Sequence, residues 1–118
     1  MLEVETLATK NPQEPFHRIA VDEAKQMIQD GAHIIDVRDP HEYADGHVPG
    51  AAHIPVNTVF NRREELPKDG KIIFVCGVGQ RSALACEMAA AAGLPADTLY
   101  NLEGGTEDWI KAGEPVEK

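Results

Sequence analysis

KIIFVCGVGQRSALACEMAAAAG, residues 71–93, holds an apolar run, a short glycine-bearing bridge and then an alanine-rich stretch. IIFV (72–75) is apolar at every position, which suits a parallel strand buried on both faces. RSALACEMAAAAG (81–93) is made of strong helix formers and ends at Gly93, with Pro95 beyond it. A buried strand feeding a helix through so short a bridge is half of a strand–helix–strand unit, and such units build parallel sheets. Ligands of such sheets gather at the carboxyl ends of the strands, where Cys76 falls.

Outward from this unit the alternation continues. On the N-terminal side, FHRIA (16–20) reads as a short first strand. VDEAKQMIQDG (21–31) has Asp22 and Glu23 in a first turn, Val21, Ala24, Met27 and Ile28 at helical spacing, and Gly31 as a stop, so it reads as a helix. HIIDVR (33–38) is a strand ending in charge. DPHEYADGHVPG is a turn-rich segment with one helical turn, AAHIPV (51–56) a further strand, and NTVFNRREEL a short helix opened by Asn57. Beyond the unit, TLYNLEGG (98–105) predicts a last strand and GTEDWIKAG a closing helix. The fold class is α/β, a mostly parallel central sheet flanked by helices on both faces. Residues 1–15, polar and carrying Pro12 and Pro15, read as a loosely ordered arm, and residues 16–118 as one domain.

A chain of 118 residues buries one core and leaves room for one site. No apolar stretch approaches the roughly 20 residues that span a bilayer, which excludes membrane insertion. With 11 Lys and Arg against 20 acids the net charge is −9, and no basic run exceeds Arg62–Arg63, so nucleic acid is excluded as a partner. The first fifteen residues lack the charge and apolar pattern of a secretory signal, which points to the cytoplasm. Cys76 and Cys86, at a strand end and inside the next helix, are expected to be reduced. The five histidines are scattered and no cysteine pair has ligand spacing, so no metal site is expected.

The bridge CGVGQRS (76–82) carries the chemistry. If the strand stops at Cys76 and the helix begins near Arg81 or Ser82, the amides between curl into a cradle, and Gly77 and Gly79 supply the conformations the curl needs. A thiol at the positive end of a helix dipole has its thiolate stabilised, which makes Cys76 the candidate nucleophile. Cys86, among Ala83, Leu84, Ala85 and Met88, reads as packing. The anionic partners of such a thiolate include phosphate esters, arsenate and sulfane-sulfur donors. Tyrosine-phosphatase-type loops place five residues between cysteine and arginine. Here only Gly77, Val78, Gly79 and Gln80 intervene, and Ser82 stands where that arginine would be. The smaller ring suits one terminal sulfur better than a phosphoryl group.

CGVGQRS resembles the active loop of rhodanese (sulfurtransferase) domains. Three further stretches recur in that family's order: IIDVR (34–38), HEYADGHVPGAAHIP (41–55) and NLEGGTEDW (101–109). The resemblance runs from about Phe16 to Gly113 and implies the rhodanese-like fold of a single-domain member. It implies that Cys76 forms a persulfide and that Gly77, Val78, Gly79, Gln80, Arg81 and Ser82 hold the thiolate and the donor. The sulfane sulfur then moves from an anionic donor such as thiosulfate to cyanide or a thiol acceptor, with no metal or organic cofactor. A persulfide carrier, receiving sulfur from a sulfur-relay partner protein with little thiosulfate turnover, is the alternative. Arg81 either orients the donor or pairs with an acid at the helix start. Asp36 and Arg38 are expected to brace the loop from behind. Two-domain members can carry a substrate-binding arginine where this chain has Glu42, here expected to pair with Arg38. His47 falls in a structural turn, Gly104 and Gly105 in a close-packed turn, and Trp109 in the core.

Overall fold

The computed structural model describes residues 8–118. Five parallel strands form one sheet in the order β1-β5-β4-β2-β3. In chain order they are β1 (His17–Ile19), β2 (His33–Asp36), β3 (Ala52–His53), β4 (Ile72–Val75) and β5 (Leu99–Leu102). The helices between and after them are α1 (Val21–Gln29), α2 (Pro40–Asp45), α3 (Gln80–Ala91) and α4 (Gly105–Lys111). The IIFV run is the middle strand and is buried at all four positions, as a strand covered on both faces must be.

Each sheet face has its own apolar layer, so helices do lie on both sides. On one face Ala85, Cys86 and Ala89 of α3 meet Ile35, Ile72, Phe74 and Leu99. On the other, Ala24 and Met27 of α1 and Trp109 of α4 meet Ile34, Ile73, Val75, Tyr100 and Leu102. Adjacent residues along β2, β4 and β5 therefore face opposite layers, which is the period of an extended strand. The small residues of α3 let that helix approach the sheet closely.

β2 and β4 are neighbours in register, Asp36 opposite Val75. The connection leaving the carboxyl end of β2 carries α2 and runs outward to β3, while the one leaving β4 carries α3 and runs the other way to β5. Connections that part in this way leave a crevice at the carboxyl ends of the two strands, and Cys76 opens it.

Several boundaries differ from the sequence expectation. The strand expected over 51–56 is only Ala52–His53: it is an edge strand with one neighbour, and Pro55, with no N–H to donate, ends it. The helix expected from Asn57 is instead two single 3-10 turns, Val56–Thr58 and Arg63–Glu65. Thr58 and Val59 are β-branched and costly in a helix, and Arg63 Nη1 bonds back to the Phe60 carbonyl, 2.9 Å, between the two turns. α3 starts at Gln80, one residue before the expected range, because Gly79 in the left-handed conformation, φ +103°, serves as its N-cap. Of the expected arm, residues 1–7 lie outside the described residues; Thr9 exchanges two backbone hydrogen bonds with Arg18, 3.0 and 2.8 Å.

Candidate active site

Cys76 follows β4 directly and is 1% exposed. It belongs to the apolar layer under α3, yet its sulfur also has hydrogen-bond donors within reach. The Gly79 N–H reaches Sγ at 3.1 Å and the Ser82 hydroxyl lies 3.3 Å from it. Burial pushes the Cys76 thiol up, but hydrogen bonds from the Ser82 hydroxyl and from the Ser82, Gly79 and Val78 amides outweigh it and leave it below the ordinary thiol value. Cys86 has no such donors, and burial pushes its thiol far up, so it stays protonated. Both cysteines are free.

The reason the amides face the sulfur is found one helix away. In a trans peptide the C=O and the following N–H point in opposite directions, so anchoring a carbonyl outward aims the next N–H inward. The Cys76 carbonyl accepts from the Thr106 N–H at 2.8 Å and the Thr106 hydroxyl at 3.1 Å, and the Gly77 carbonyl accepts from the Glu107 N–H at 3.1 Å. The Gly77 carbonyl, turned out to α4, thereby turns the Val78 N–H inward. Such a clamp demands close approach, and a β-carbon on Gly105 would lie 2.4 Å from the Cys76 oxygen and 2.5 Å from the Gly77 oxygen. Only glycine fits there.

Asp36 and Arg38 stand behind the loop. Arg38 Nε and Nη2 donate to the Asp36 carboxylate at 3.0 and 2.8 Å, and Nη2 also reaches the Gly46 carbonyl at 2.7 Å. Asp36 is fully buried and the Arg38 side chain 8% exposed, so this is a buried fork-to-fork pair with a further bond from Nη2 to the backbone. It fixes the turn after β2, where the Tyr43 ring stacks between His47 and His53 at centroid distances of 3.7 and 4.5 Å. His47 also exchanges backbone hydrogen bonds with Glu117, both 2.9 Å, which makes it part of the frame. Trp109 is buried in the core.

Glu42 does not pair with Arg38. Arg38 is already held by Asp36, and Glu42, on α2, reaches across the crevice to Arg81 on α3, with Nη1 to Oε1 at 2.8 Å and Nη2 to Oε2 at 3.0 Å. The Arg81 guanidinium holds the Glu42 carboxyl well below the usual carboxylate range, at about 2. Arg81 therefore does pair with an acid. Its Nη2 also lies 3.3 Å from where a Gly77 β-carbon would stand, so the ion pair spans the mouth of the loop. Asn101, which the sequence reading left out, is fully buried on β5 and bonds both Ser82 and the Gly79 carbonyl. Its only sequence signal is an amide inside an otherwise apolar strand. Among the described residues no group of three or more His, Cys, Asp or Glu side chains is arranged to hold a metal ion.

Comparison with known proteins accords with this geometry. The family model for the Rhodanese-like domain matches residues 20–112. The chain belongs to the Rhodanese-like domain family. It is 35% identical over 94 residues to thiosulfate sulfurtransferase GlpE of Pseudomonas paraeruginosa, covering 80% of this chain and 84% of that protein. A rhodanese-related protein from Thermoplasma volcanium superposes with a TM-score of 0.77 at 30% identity, covering 85% of this chain and 96% of that one. A Rhodopseudomonas palustris structure, named a possible tyrosine phosphatase, superposes at TM-score 0.70 and 31% identity, covering 83% and 82%. This rhodanese-like chain is thus an enzyme of the sulfurtransferase family. No described helix is long and apolar enough to cross a membrane.

Proposed function

We propose that this rhodanese-like chain moves a sulfane sulfur from an anionic donor such as thiosulfate to cyanide or a thiol acceptor through a persulfide on Cys76, in a domain spanning residues 16–118. The observation that carries the reading is the Cys76 sulfur ringed by loop amides and the Ser82 hydroxyl. The Cys76 thiolate attacks the outer sulfur of thiosulfate; the S–S bond of the donor breaks and its electron pair leaves with sulfite. The outer sulfur of the persulfide then bonds to the acceptor, the Cys–S–S bond breaks, and its electron pair returns to the Cys76 thiolate. Loop amides that held one anionic sulfur hold the next, one bond further out. The cycle needs a reduced Cys76, which accords with a cytoplasmic site of action.

Intact mass spectrometry tests this. Incubation with thiosulfate should add one sulfur atom, cyanide should remove it, and Cys76→Ser should gain none. An unmodified protein that hydrolyses an aryl phosphate would overturn the proposal in favour of phosphatase chemistry.

The bidentate Glu42–Arg81 pair favours a second reading. The one cation of the loop is already occupied, so a free dianion meets a neutralised mouth, while a persulfide delivered by a partner protein needs no cation. In this reading the chain is a persulfide carrier in a sulfur relay. Uptake of sulfur from a cysteine-desulfurase-type donor that exceeds thiosulfate turnover would establish it; equal efficiency with both would dismiss it.

A further inference from the structure

Ser82 Oγ carries one proton and lies between two acceptors. Cys76 Sγ is 3.3 Å from it, and Asn101 Oδ1 is 2.5 Å from it on the other side. The orientation of the Asn101 amide is fixed by its other end: Nδ2 donates to the Gly79 carbonyl at 3.1 Å. Flipping the amide would set Oδ1 against that carbonyl, acceptor against acceptor. The atom facing Ser82 is therefore an oxygen, so the single hydroxyl proton goes either to Asn101 or to the sulfur, not to both. All of Asn101 and Ser82 is buried, so no solvent substitutes for a missing partner.

We propose that Asn101 is a positioning residue of the sulfur chemistry, which holds the Ser82 proton while Cys76 is a neutral thiol or a persulfide and surrenders it when Sγ is an anion. This rests on the reading of Cys76 as the nucleophile. With Cys76 protonated, S–H donates to Ser82 Oγ and Ser82 donates to Asn101 Oδ1, and every partner is satisfied. With Sγ ionised, the Ser82 hydroxyl turns to the sulfur and leaves Asn101 Oδ1 buried without a donor, a state that is costly to hold. Once the persulfide forms, Sγ is neutral, the charge sits on the outer sulfur, and Ser82 returns to Asn101. Asn101 thus penalises one of the three states of the cycle, the free thiolate, and so favours loading of the sulfur.

The charged groups on the elements packed around Cys76 are Arg81 of α3 with its partner Glu42 of α2, the Asp36–Arg38 pair of the neighbouring β2 connection, and Glu103, Glu107 and Asp108 at the turn into α4. None is altered by changes at positions 82 or 101. Asn101→Ala removes Oδ1 and the donor to Gly79, but the Gly79 carbonyl keeps the Ala83 N–H at 3.3 Å.

The test is the pH profile of iodoacetamide alkylation of Cys76 in the full chain, measured for wild type, Asn101→Ala, Ser82→Ala and the double variant. Asn101→Ala should lower the midpoint by about one pH unit, tenfold more thiolate below it. Ser82→Ala should raise it, and in the Ser82→Ala background the substitution at 101 should have no effect on it, because its route to the sulfur is gone. If Asn101 only braces β5 against the loop, Asn101→Ala will raise or leave the midpoint unchanged, equally in both backgrounds, and the proposal falls. If Asn101→Ala does not fold, Asn101→Ser, tested in the same two backgrounds, applies the same criterion. Alkylation needs no sulfur donor, so this result stands apart from persulfide formation, which the mass measurement reads.

Discussion

Gly105→Ala should damage the thiol from a position that never touches it. The added β-carbon would meet the Cys76 oxygen at 2.4 Å, the Gly77 oxygen at 2.5 Å and the Gly77 carbonyl carbon at 2.6 Å. An ordinary contact needs about 3.4 Å, so the loop and α4 must separate by about 1 Å. That takes the Thr106 N–H to Cys76 bond from 2.8 Å, the Thr106 hydroxyl bond from 3.1 Å and the Glu107 N–H to Gly77 bond from 3.1 Å beyond hydrogen-bonding range. Three such bonds contribute about 3 kcal/mol, and alanine at φ +59° adds about 1 kcal/mol of backbone strain. The expected loss is about 4 kcal/mol, a large part of the 5–15 kcal/mol typical of a domain. Gly113→Ala is the control: φ is positive there too, at +81°, but nothing lies within 4 Å of its β-carbon, so only about 1 kcal/mol is at stake. Thr106→Val, which removes the hydroxyl bond alone, should cost about 1 kcal/mol. Urea unfolding measures all three, and iodoacetamide alkylation should show the Cys76 midpoint moved up in Gly105→Ala only. Equal stabilities for Gly105→Ala and Gly113→Ala with an unchanged midpoint would refute the clamp.

Glu42→Gln should release the Arg81 fork and raise kcat/KM for thiosulfate about tenfold, the value of one charge-assisted hydrogen bond; a fall would mean that the ion pair shapes the site instead. Because the Glu42 carboxyl is held at about 2, below its ordinary value of 4.5, its contribution to stability is complete above pH 4.5 and is lost as pH falls from there toward 2. Acid titration of stability should therefore be flatter over that window in Glu42→Gln. Arg38→Met leaves the Asp36 carboxylate buried and unpaired and should cost about 3–5 kcal/mol in urea unfolding, and a cost under 1 kcal/mol would show that the pair is replaceable. At pH 8 native alkylation followed by peptide mapping should find Cys76 modified and Cys86 intact, since burial pushes the Cys86 thiol far above that pH.

What could be read from the chain is what neighbouring residues determine. The IIFV strand, the alanine-rich helix and the glycines between them are local signals, and they place Cys76 without reference to anything else. The errors are also local in origin. AAHIPV alternates like a strand, but a strand extends only as far as it finds a neighbour, and here β2 offers one for two residues. NTVFNRREEL has a cap and a length suited to a helix, yet its β-branched start leaves it as separate turns. Sequence proximity points Glu42 to Arg38, four residues away, but its partner is Arg81, thirty-nine away.

The choice of Arg81 over Arg38 has a physical basis that extends to the whole site. Asp36 and Arg38 are two residues apart and satisfy each other within one turn, which leaves Glu42 to find a cation elsewhere. The carboxyl ends of β2 and β4 are adjacent because the two strands pair, and across the crevice that opens there Arg81 of α3 meets Glu42 of α2. Asn101 and Thr106 enter by the same logic from the far side, through β5 and the clamp of α4. The sequence can name the residue that reacts, because its loop is continuous. The charge and hydrogen-bond partners that decide how it reacts come from three other segments, and only strand order brings them to it.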